Sequence, residues 1–468
     1  MRRNLLNYNT LGYFGRGFLF AQNVYNEYMS SFPSLHLKNL ISNLSDNGLT
    51  EGQEQALDAM LMGENVFLTG DAGTGKSYVL GEFLKKMRRK KHIIACAPTG
   101  IAALRLHNGS TIHRAFRVPF LQAYDFRKHK HPNEEILNAD VIIIDEISMC
   151  RVDLFDYISE IIFEAEKITQ HKKQVIVVGD FFQLPPVLRR EEREVLSYKY
   201  PGIQAGFCFS GKNWERFHFK PFVLTEIVRQ EEDEYVEMLE MARRGNRKCL
   251  PYFNQRVSEE FDDNAICLVP TNAKASAINS KKLNALVGEP KIFHAVIKGS
   301  ITASDKAAED SLILKPGARV IALCNNLEYK NGQLGTVREI GEDAVKVAWD
   351  NGRKSIVEAY DWNIMRPEWD GEVIKHEIVG TFRQLPLRLA YAITIHKSQG
   401  QTYSRTVVDP SCFDIGQLYV ALSRCESIEG LSLMRAAYPR ALKSSPEVLD
   451  FYSKITGEPY YIEEYDAY

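Results

Sequence analysis

Eight consecutive residues carry the clearest chemical signal in the chain. They read Gly-Asp-Ala-Gly-Thr-Gly-Lys-Ser at positions 70–77 and follow the apolar run Val66-Phe67-Leu68. A glycine, any four residues and then Gly-Lys-Ser, placed after a strand, is the pattern of a phosphate-binding loop. Its backbone N–H groups and its lysine meet the phosphates of ATP or a close relative, and its serine hydroxyl can hold magnesium. The predicted nucleotide ligands are Gly70, Gly73, Thr74, Gly75, Lys76 and Ser77.

Two carboxylates, Asp145 and Glu146, follow a second apolar run at residues 141–144. Open α/β sheets bind ligands at the carboxyl ends of their strands, which is where this pair falls. Asp145 is suited to hold magnesium through a hydroxyl or a water, and Glu146 can take a proton from the attacking water. A simple surface Asp-Glu pair is the alternative, and the position directly after a buried strand disfavours it.

A third apolar run ends in the segment at residues 179–187, which contains Gln183. Its amide falls at the same edge of the predicted sheet as the carboxylate pair. Gln183 can sense the terminal phosphate or orient the water, and the alternative is a solvated loop side chain.

The strands that must position these groups can be read from apolar runs. The chain has 468 residues, of which 45% are hydrophobic and 25% charged, so it is long enough for more than one core. Continuous β-branched runs alternate with helical patterns from about residue 49 to residue 224, and again around residues 266–269 and 406–408. Such runs are typical of parallel sheets covered by helices on both faces. The predicted fold class is therefore α/β with two sheets.

The sequence pattern changes inside the second α/β region, and the predicted domain boundaries follow from this change. Residues 291–385 read as short strands with tight turns, typical of a small inserted β-barrel, and residues 105–138 read as a shorter irregular insertion. The predicted organisation is an N-terminal extension at 1–45, a first domain at 46–222 with the insertion at 105–138, a second domain at 223–290 and 386–468, and the barrel at 291–385.

Charge, cysteine spacing and hydropathy limit the ligands and the cellular compartment that can be expected for this chain. Because 58 basic residues face 60 acidic ones, nucleic-acid binding would need a local cationic groove instead of a global field. The eight cysteines lack metal-ligand spacing, which predicts a reducing compartment and no zinc site. No apolar stretch approaches the roughly 20 residues that span a bilayer, so we expect no membrane association. The basic start of the chain favours a docking or poorly ordered extension over an organelle-targeting segment, because it lacks serine enrichment.

Several blocks, taken in order, closely resemble the Pif (petite-integration-frequency) DNA helicases, relatives of the RecD-type enzymes in the 5′-to-3′ branch of helicase superfamily one. The blocks run over nearly all of the chain beyond the extension. They are residues 97–103 (Ala-Pro-Thr-Gly-Ile-Ala-Ala), 145–149 (Asp-Glu-Ile-Ser-Met), 179–187, 391–400 (Tyr-Ala-Ile-Thr-Ile-His-Lys-Ser-Gln-Gly) and 419–424 (Tyr-Val-Ala-Leu-Ser-Arg).

The resemblance implies two RecA-like domains that close on ATP, with a Src-homology-three-like barrel inserted in the second and a wedge inserted in the first. It implies that Gln53 contacts adenine, that Gly400 borders the nucleotide and that Gln183 contacts the γ-phosphate. It also identifies Arg229 and Arg424 as arginine fingers, whose charge stabilises phosphoryl transfer only when the domains are closed. Taken without the family, either arginine reads as a surface ion pair.

The resemblance also places single-stranded DNA across the top of both domains. Hydroxyls, cations and an occasional aromatic ring are what sequence-tolerant strand binding requires. For two of the implied contacts the residues leave alternatives open: Phe116 as a core residue, and His113 as a local cap or packing residue. The implied DNA contacts are Thr99, Thr111, His113, Phe116, Thr271, Asn272, His396 and Lys397.

The expected function is an ATP- and Mg²⁺-dependent 5′-to-3′ DNA helicase acting in replication, repair, recombination or telomere maintenance. Its expected partners are single-stranded DNA and duplex or G-quadruplex junctions, and it is expected to be monomeric. We expect a cytoplasmic protein in a bacterial or phage host, or a nuclear or mitochondrial one in a eukaryote. An RNA helicase of the same superfamily and a nucleotide-switched DNA-binding ATPase that does not unwind are the alternatives.

Overall fold

The structure, a computed structural model, describes most of the chain. It covers residues 48–103, 105–106, 108–118, 124, 131–202, 205–226, 233–262, 264–301, 306–369 and 374–460. The predicted N-terminal extension and the predicted arginine finger Arg229 lie outside these ranges, so both stay predictions.

A parallel sheet forms the centre of the first α/β region. Its strands are β1 (Val66–Gly70), β2 (Ile93–Ala97), β3 (Ser110–Thr111), β4 (Val141–Ile144), β5 (Gln174–Val178) and β6 (Lys220–Leu224). They lie in the order β3-β2-β4-β5-β1-β6 and all neighbours run parallel. β4 is apolar and buried throughout, as is typical of a strand inside a parallel sheet that is covered on both faces. The strands predicted from apolar runs in this region are therefore confirmed.

Helices flank this first sheet and carry its loops. They are α1 (Glu51–Leu61), α2 (Lys76–Met87), α3 (Gly100–Ala103), α4 (Ile112–Ala115), α5 (Glu134–Asn138), α6 (Val152–Thr169) and α7 (Arg190–Lys199). The segment predicted as a wedge insertion begins differently from the prediction, since β3 extends the sheet and α4 buries Ile112 and Ala115 in its core. The middle of that segment, residues 119–123 and 125–130, lies outside the described residues.

Antiparallel strands occupy the interval predicted as an inserted barrel. After β7 (Ile266–Val269), these strands are β8 (Lys291–His294), β9 (Val296–Gly299), β10 (Ser311–Leu314), β11 (Arg319–Ala322), β12 (Leu334–Ile340), β13 (Ala344–Trp349), β14 (Lys354–Glu358), β15 (Tyr360–Trp369), β16 (Ile374–Gln384) and β17 (Leu387–Leu389). They pair as β14-β13-β12-β11-β17, β10-β8 and β15-β16-β9. Because β17 pairs with β11, this region extends past the predicted limit at residue 385. A closed barrel of the Src-homology-three type stays a prediction.

A second parallel sheet brackets these antiparallel strands. It contains β7, β18 (Ala392–Thr394), β19 (Thr406–Val408) and β20 (Leu431–Leu433) in the order β18-β7-β19-β20. The remaining helices are α8 (Asp233–Arg244), α9 (Leu250–Asn254), α10 (Asn272–Ala285), α11 (Ile395–Ser398), α12 (Gln417–Leu422) and α13 (Pro446–Thr456). Among the helices that the structure describes, none combines the length and apolar character needed to cross a membrane.

The last helix, α13, corrects the predicted domain limits. Val448, Leu449 and Tyr452 belong to the apolar core of the first sheet, together with Phe67 and Phe181. The prediction that residues 386–468 all belong to the second domain is therefore wrong for α13, because its apolar face is buried against the other sheet. The predicted limit at residue 222 also falls inside β6, which pairs with β1.

Candidate nucleotide and nucleic-acid site

The phosphate-binding pattern forms the turn between β1 and α2. Gly70 has φ 142°, and a Cβ there would lie 2.2 Å from the carbonyl oxygen of Leu224, so a side chain cannot be accommodated. Gly75 caps the N-terminus of α2 with φ 81°. Lys76 Nζ donates to the carbonyl oxygens of Gly70 at 2.8 Å and Asp71 at 2.7 Å. The ammonium thus already sits inside the loop, and burial lowers its pKa.

A cleft around this turn collects the predicted catalytic side chains from distant parts of the chain. Its lining includes phosphate-loop residues, the carboxylate pair, the loop after β5 and the segment that follows α12. The predicted residues found there are Gly73, Gly75, Lys76, Ser77, Asp145, Glu146, Gln183, Gly400 and Arg424.

Glu146 is held in a conformation that a side-chain-bearing residue rarely adopts. Its φ of 50° lies in the left-handed region, which costs on the order of 1–3 kcal/mol for a residue other than glycine. The carboxylate accepts a hydrogen bond from Gln399 Nε2 at 3.1 Å, and its other oxygen lies 3.6 Å from Arg105 Nη1. The predicted base is therefore fixed by groups on both sides of the cleft.

The donor set beside Glu146 fits a magnesium ion. Asp145 and Ser77 line the same cleft, and a carboxylate with a hydroxyl is oxygen chemistry that Mg²⁺ prefers. Burial, followed by the neighbouring Glu146 carboxylate, raises the pKa of Asp145 to about 7. A divalent cation would add positive charge beside the buried Asp145, whose carboxylate is otherwise destabilised by burial and by its neighbour Glu146.

Gln183 has an unused acceptor at the cleft. The residue is 6% exposed, and its Oε1 is buried without a hydrogen-bond partner among the described residues. A buried acceptor without a partner costs about 1–3 kcal/mol. A water in the cleft would satisfy it, which fits the predicted role in orienting the attacking water.

Arg424 is buried with neutral acceptors around its guanidinium. Nε donates to the carbonyl oxygen of Val420 at 2.9 Å, Nη1 to that of Gln401 at 3.2 Å, and Nη2 to Ser423 Oγ at 2.9 Å. Burial lowers its pKa. A buried cation with neutral partners gains most from an added anion, so this arginine suits a transferring phosphate.

Sequence reasoning did not single out Arg243. In contrast to Arg424, its guanidinium is paired with carboxylates. It is 3% exposed and lies 2.8 Å from Asp71 and 2.9 Å from Asp180 through two guanidinium nitrogens. Asp71 belongs to the phosphate-binding turn and Asp180 follows β5, while Arg243 lies on α8. Arg243 therefore ties α8 to two loops of the nucleotide cleft. No local pattern signals it, because its partners are far away in sequence.

Sequence reasoning missed two further residues beside Glu146: Arg105, which lines the nucleotide cleft, and Gln399, which lines the neighbouring cavity. Arg105 follows α3, lines the cleft and donates to the Gln399 carbonyl oxygen. A Cβ added at Gly400 would overlap the Arg105 guanidinium, so the glycine makes room for it. Gln399 lies inside the motif block at residues 391–400, and Arg105 lies just after the block at residues 97–103. Their closeness to these blocks was the signal that sequence reasoning could have used.

Gln53 lies behind the turn in this structure. It is 2% exposed, and its Nε2 donates to the Thr74 carbonyl oxygen at 2.9 Å. A Cβ at Gly75 would meet the same amide nitrogen at 2.5 Å. Gln53 thus supports the phosphate-binding turn, and its contact with adenine stays a prediction.

A second cavity of about 480 Å³ contains most of the predicted DNA contacts. It lies at the carboxyl ends of β18 and β7 and reaches α3 on the other side. Lys397 Nζ donates to Asn272 Oδ1 at 3.4 Å, and burial lowers the pKa of His396 and of Lys397. The predicted contacts found in the lining are Thr99, Thr271, Asn272, His396 and Lys397.

Three predicted DNA contacts do not line this cavity. Thr111 caps α4 by accepting from the backbone N–H of Arg114. His113 Nε2 is hydrogen-bonded to the Tyr124 hydroxyl at 2.9 Å, and burial lowers its pKa to about 4, so the ring is neutral near pH 7. Phe116 is 3% exposed and belongs to the core of the first sheet. For His113 and Phe116 the structure supports the packing alternative, because the His113 ring is hydrogen-bonded to Tyr124 and Phe116 is buried in the core.

Comparison with known proteins agrees with this geometry. A family model described as PIF1-like helicase matches residues 48–244. The ATP-dependent DNA helicase Pif1 of Campylobacter jejuni is 31% identical over 445 residues, which cover 85% of this chain and 96% of that protein.

Solved structures agree over a similar length. Pif1 from Bacteroides in complex with ADP-AlF3 and single-stranded DNA is 33% identical with a TM-score of 0.70, over 89% of this chain and 99% of that one. A structure of two coordinating Pif1 helicases at forked double-stranded DNA gives a TM-score of 0.70 at 33% identity, over 89% and 100% of the two chains. With the two parallel sheets and the phosphate-binding cleft, these matches show that the chain belongs to the PIF1-like helicase family.

Proposed function

We propose that the protein is an ATP-dependent DNA helicase that moves 5′ to 3′ along single-stranded DNA. The observation that carries this proposal is the position of Glu146. It lines both the nucleotide cleft and the cavity that holds the predicted DNA contacts. One carboxylate can therefore respond to both ligands, which is what coupling of hydrolysis to strand movement requires.

The cleft supplies each function that phosphoryl transfer needs. Lys76 would exchange its loop carbonyl partners for the outer phosphates. Arg424, whose present acceptors are neutral, would place its charge against the transferring group. Glu146 would accept the proton of the attacking water, which Gln183 Oε1 would orient. Bound at Asp145 and Ser77, Mg²⁺ would neutralise charge on the phosphates.

DNA binding would affect this chemistry through α11 and the residues after it. His396 and Lys397 face the predicted DNA cavity, and Gln399 hydrogen-bonds Glu146 only a few residues later. A strand that moves α11 would thus change how the base is held. This gives a direct physical route from DNA binding to the hydrolysis rate.

The strand polarity, the monomeric state, and activity on quadruplex junctions rest on the resemblance to the Pif family. The relatives support the substrate class, since their structures were solved with single-stranded DNA and with forked double-stranded DNA. The geometry adds that the predicted strand contacts in the cavity are hydroxyls, an amide, an imidazole and the Lys397 ammonium. Such groups bind a nucleic-acid backbone without reading its sequence.

Strand displacement tests the proposal. The purified protein would be given ATP, Mg²⁺ and duplexes with a 5′ tail, a 3′ tail, a fork or blunt ends, together with a tailed quadruplex and an RNA duplex of matched sequence. We expect unwinding of the 5′-tailed and forked DNA, and little of the blunt or 3′-tailed DNA. The Glu146→Gln protein is the control for unwinding without hydrolysis.

Other outcomes separate the alternatives. Preference for the 3′-tailed duplex would contradict the polarity, and preference for the RNA duplex would identify an RNA helicase. ATP hydrolysis stimulated by DNA without displacement of any strand would identify a nucleotide-switched DNA-binding protein. Light scattering coupled to size exclusion, with and without a tailed duplex, tests the monomeric state.

A further inference from the structure

A cavity of about 310 Å³ lies at the far end of the second sheet, outside both sites described above. It is formed by the loop after β19 and by the segment after β20. Aromatic residues and cations surround it: Phe413, Arg435, Tyr438, Arg440 and Lys443. Within the described residues, none that lines the cavity is acidic.

Both aromatic rings at this cavity are presented to solvent. Phe413 is 56% exposed and Tyr438 is 60% exposed. A single exposed apolar side chain needs no explanation, but two rings on one cationic cavity form a specific chemical combination. Exposed rings with neighbouring cations are what proteins use to stack bases and hold the phosphates between them.

The cations lie around the rings, and the nearby carboxylate does not neutralise all of their charge. Arg440 Cζ lies 5.8 Å from the centroid of the Tyr438 ring, and Lys443 Nζ donates to the Phe413 carbonyl oxygen at 2.8 Å. Arg435 contacts Asp409 at 3.1 Å, but that carboxylate is also held by Lys274 at 2.6 Å. The local charge therefore stays positive, which favours a polyanion.

Topology connects this cavity to the predicted DNA cavity. The strands of the second sheet run parallel in the order β18-β7-β19-β20, so the segments after them follow one another along one edge. The DNA cavity lies after β18 and β7, and the aromatic cavity lies after β19 and β20. Gln417 Nε2 donates to the Pro270 carbonyl oxygen at 3.4 Å, and Lys274 Nζ bonds Ser411 Oγ at 2.5 Å, so these loops are linked.

From this arrangement we propose that the cavity between Phe413 and Tyr438 is an additional single-stranded DNA subsite. It receives the DNA strand at the point where that strand leaves the predicted DNA cavity. A base stacks on Tyr438 or Phe413, and Arg440 and Lys443 contact the adjoining phosphates. The inference rests on the proposed function, because it requires a strand along the edge of the second sheet. The subsite increases the length of DNA strand that the protein contacts, and it includes no residue of the nucleotide cleft.

Binding as a function of strand length tests the subsite. Fluorescence anisotropy would compare oligothymidylates of increasing length on the wild-type protein and on the Tyr438→Ala, Phe413→Ala and Arg440→Ala proteins. We expect each variant to bind the shortest strands as the wild type does. On longer strands Tyr438→Ala and Phe413→Ala should lose about 5- to 150-fold in affinity, the range for loss of one base–aromatic stack, and Arg440→Ala should lose affinity through its missing phosphate contact. Melting temperatures would verify that each variant is folded.

Two exposed residues elsewhere serve as matched controls. Tyr198, 88% exposed on α7, is the aromatic control, and Lys454, on α13, is the cationic control. Tyr198→Ala and Lys454→Ala should follow the wild-type dependence on length. A single 5-iododeoxyuridine placed at one end of the strand or at the other should photo-crosslink to Tyr438 or Phe413 from one of the two positions.

Identical length dependence for wild type and variants, with no crosslink at either aromatic residue, would overturn the subsite while leaving the proposed function intact. Absence of single-stranded DNA binding by the wild type at every length would instead refute the proposed function. Competition for the cavity by an acidic peptide, with no effect of DNA length, would also contradict the proposal and would point to a protein partner.

Discussion

Gln399 Nε2 donates a hydrogen bond to Glu146 Oε2 across 3.1 Å. Glu146 follows a strand of the first sheet, β4, and Gln399 follows the helix that carries His396 and Lys397 at the edge of the second sheet. Since Gln399 is 5% exposed, water cannot readily replace its amide. The two residues form a contact between the sheets that includes the predicted base itself.

Gln399→Ala is expected to remove most of the stimulation of hydrolysis by single-stranded DNA. A hydrogen bond to a charged group contributes about 1.5–3 kcal/mol, so a loss on the order of 10- to 100-fold in the stimulated rate is expected. The ratio of kcat with saturating DNA to kcat without DNA measures it. Gln399→Glu should be worse, because it places a second carboxylate beside Glu146. An equal fall in both rates would show that Gln399 has only a structural role.

Lys76→Ala and Glu146→Gln should fail at different steps. The first removes a cation from the phosphate-binding turn, so nucleotide binding should weaken and turnover should cease. The second removes only the base, so ATP should bind and remain uncleaved. Equilibrium binding of a fluorescent ATP analogue and single-turnover hydrolysis separate the two. Near-normal hydrolysis by Glu146→Gln with saturating DNA would disprove the assignment of the base.

Arg424→Ala should lower kcat by about 10³-fold, by analogy with known arginine fingers, while ATP affinity changes much less. Stability should fall by about 1–3 kcal/mol, since buried neutral acceptors lose their donor but no carboxylate is left without its cation. Steady-state kinetics and a thermal melt check both statements. An unchanged kcat with a lowered Tm would instead identify Arg424 as a structural residue.

Arg243→Ala should act mainly on stability. The change leaves the buried Asp180 and the half-buried Asp71 without their cation, and breaking a buried pair in this way costs about 3–5 kcal/mol. The adjacent Arg244→Ala is the matched control, because its partner Glu240 is exposed and such pairs contribute about 0–1 kcal/mol. Urea unfolding of the three proteins measures the difference. Similar midpoints for both variants would contradict this reading of Arg243.

Asp145 should make the stability of the nucleotide-free protein depend on pH. Its pKa in the folded protein is about 7, above the ordinary value of 3.8, so the folded form binds more protons than the unfolded chain between these values. The free energy of unfolding should therefore fall as pH rises from about 4 to 7. Thermal melts of wild type and Asp145→Asn across this window check it. The variant should lose part of this slope, and an unchanged slope would show that Asp145 does not titrate here.

Local patterns predicted the parts of this molecule that depend on neighbouring residues. The strands around Val66 and Val141 were predictable because each is a continuous apolar run, and Lys76 and Glu146 because each directly follows such a strand or its turn. Arg243 could not be predicted, since its role comes from carboxylates on two distant loops. Phe116 was placed on the DNA by resemblance, whereas the core of the first sheet needs an apolar ring at that position. The membership of Tyr452 in the same core likewise depends on a contact that no spacing reveals.

The placement of α13 sets a condition on folding during synthesis. The core of the first sheet includes Val448, Leu449 and Tyr452, and the Tyr452 hydroxyl lies 3.4 Å from Asp180 beside the nucleotide cleft. These groups leave the ribosome after the strands of both sheets, although the sheet they complete precedes the other one in the chain. Folding of an N-terminal domain as it emerges is the usual sequence of events. Here the first sheet must remain unfinished until the second sheet and the antiparallel strands have been made, so the cleft is completed only after α13 has been synthesised.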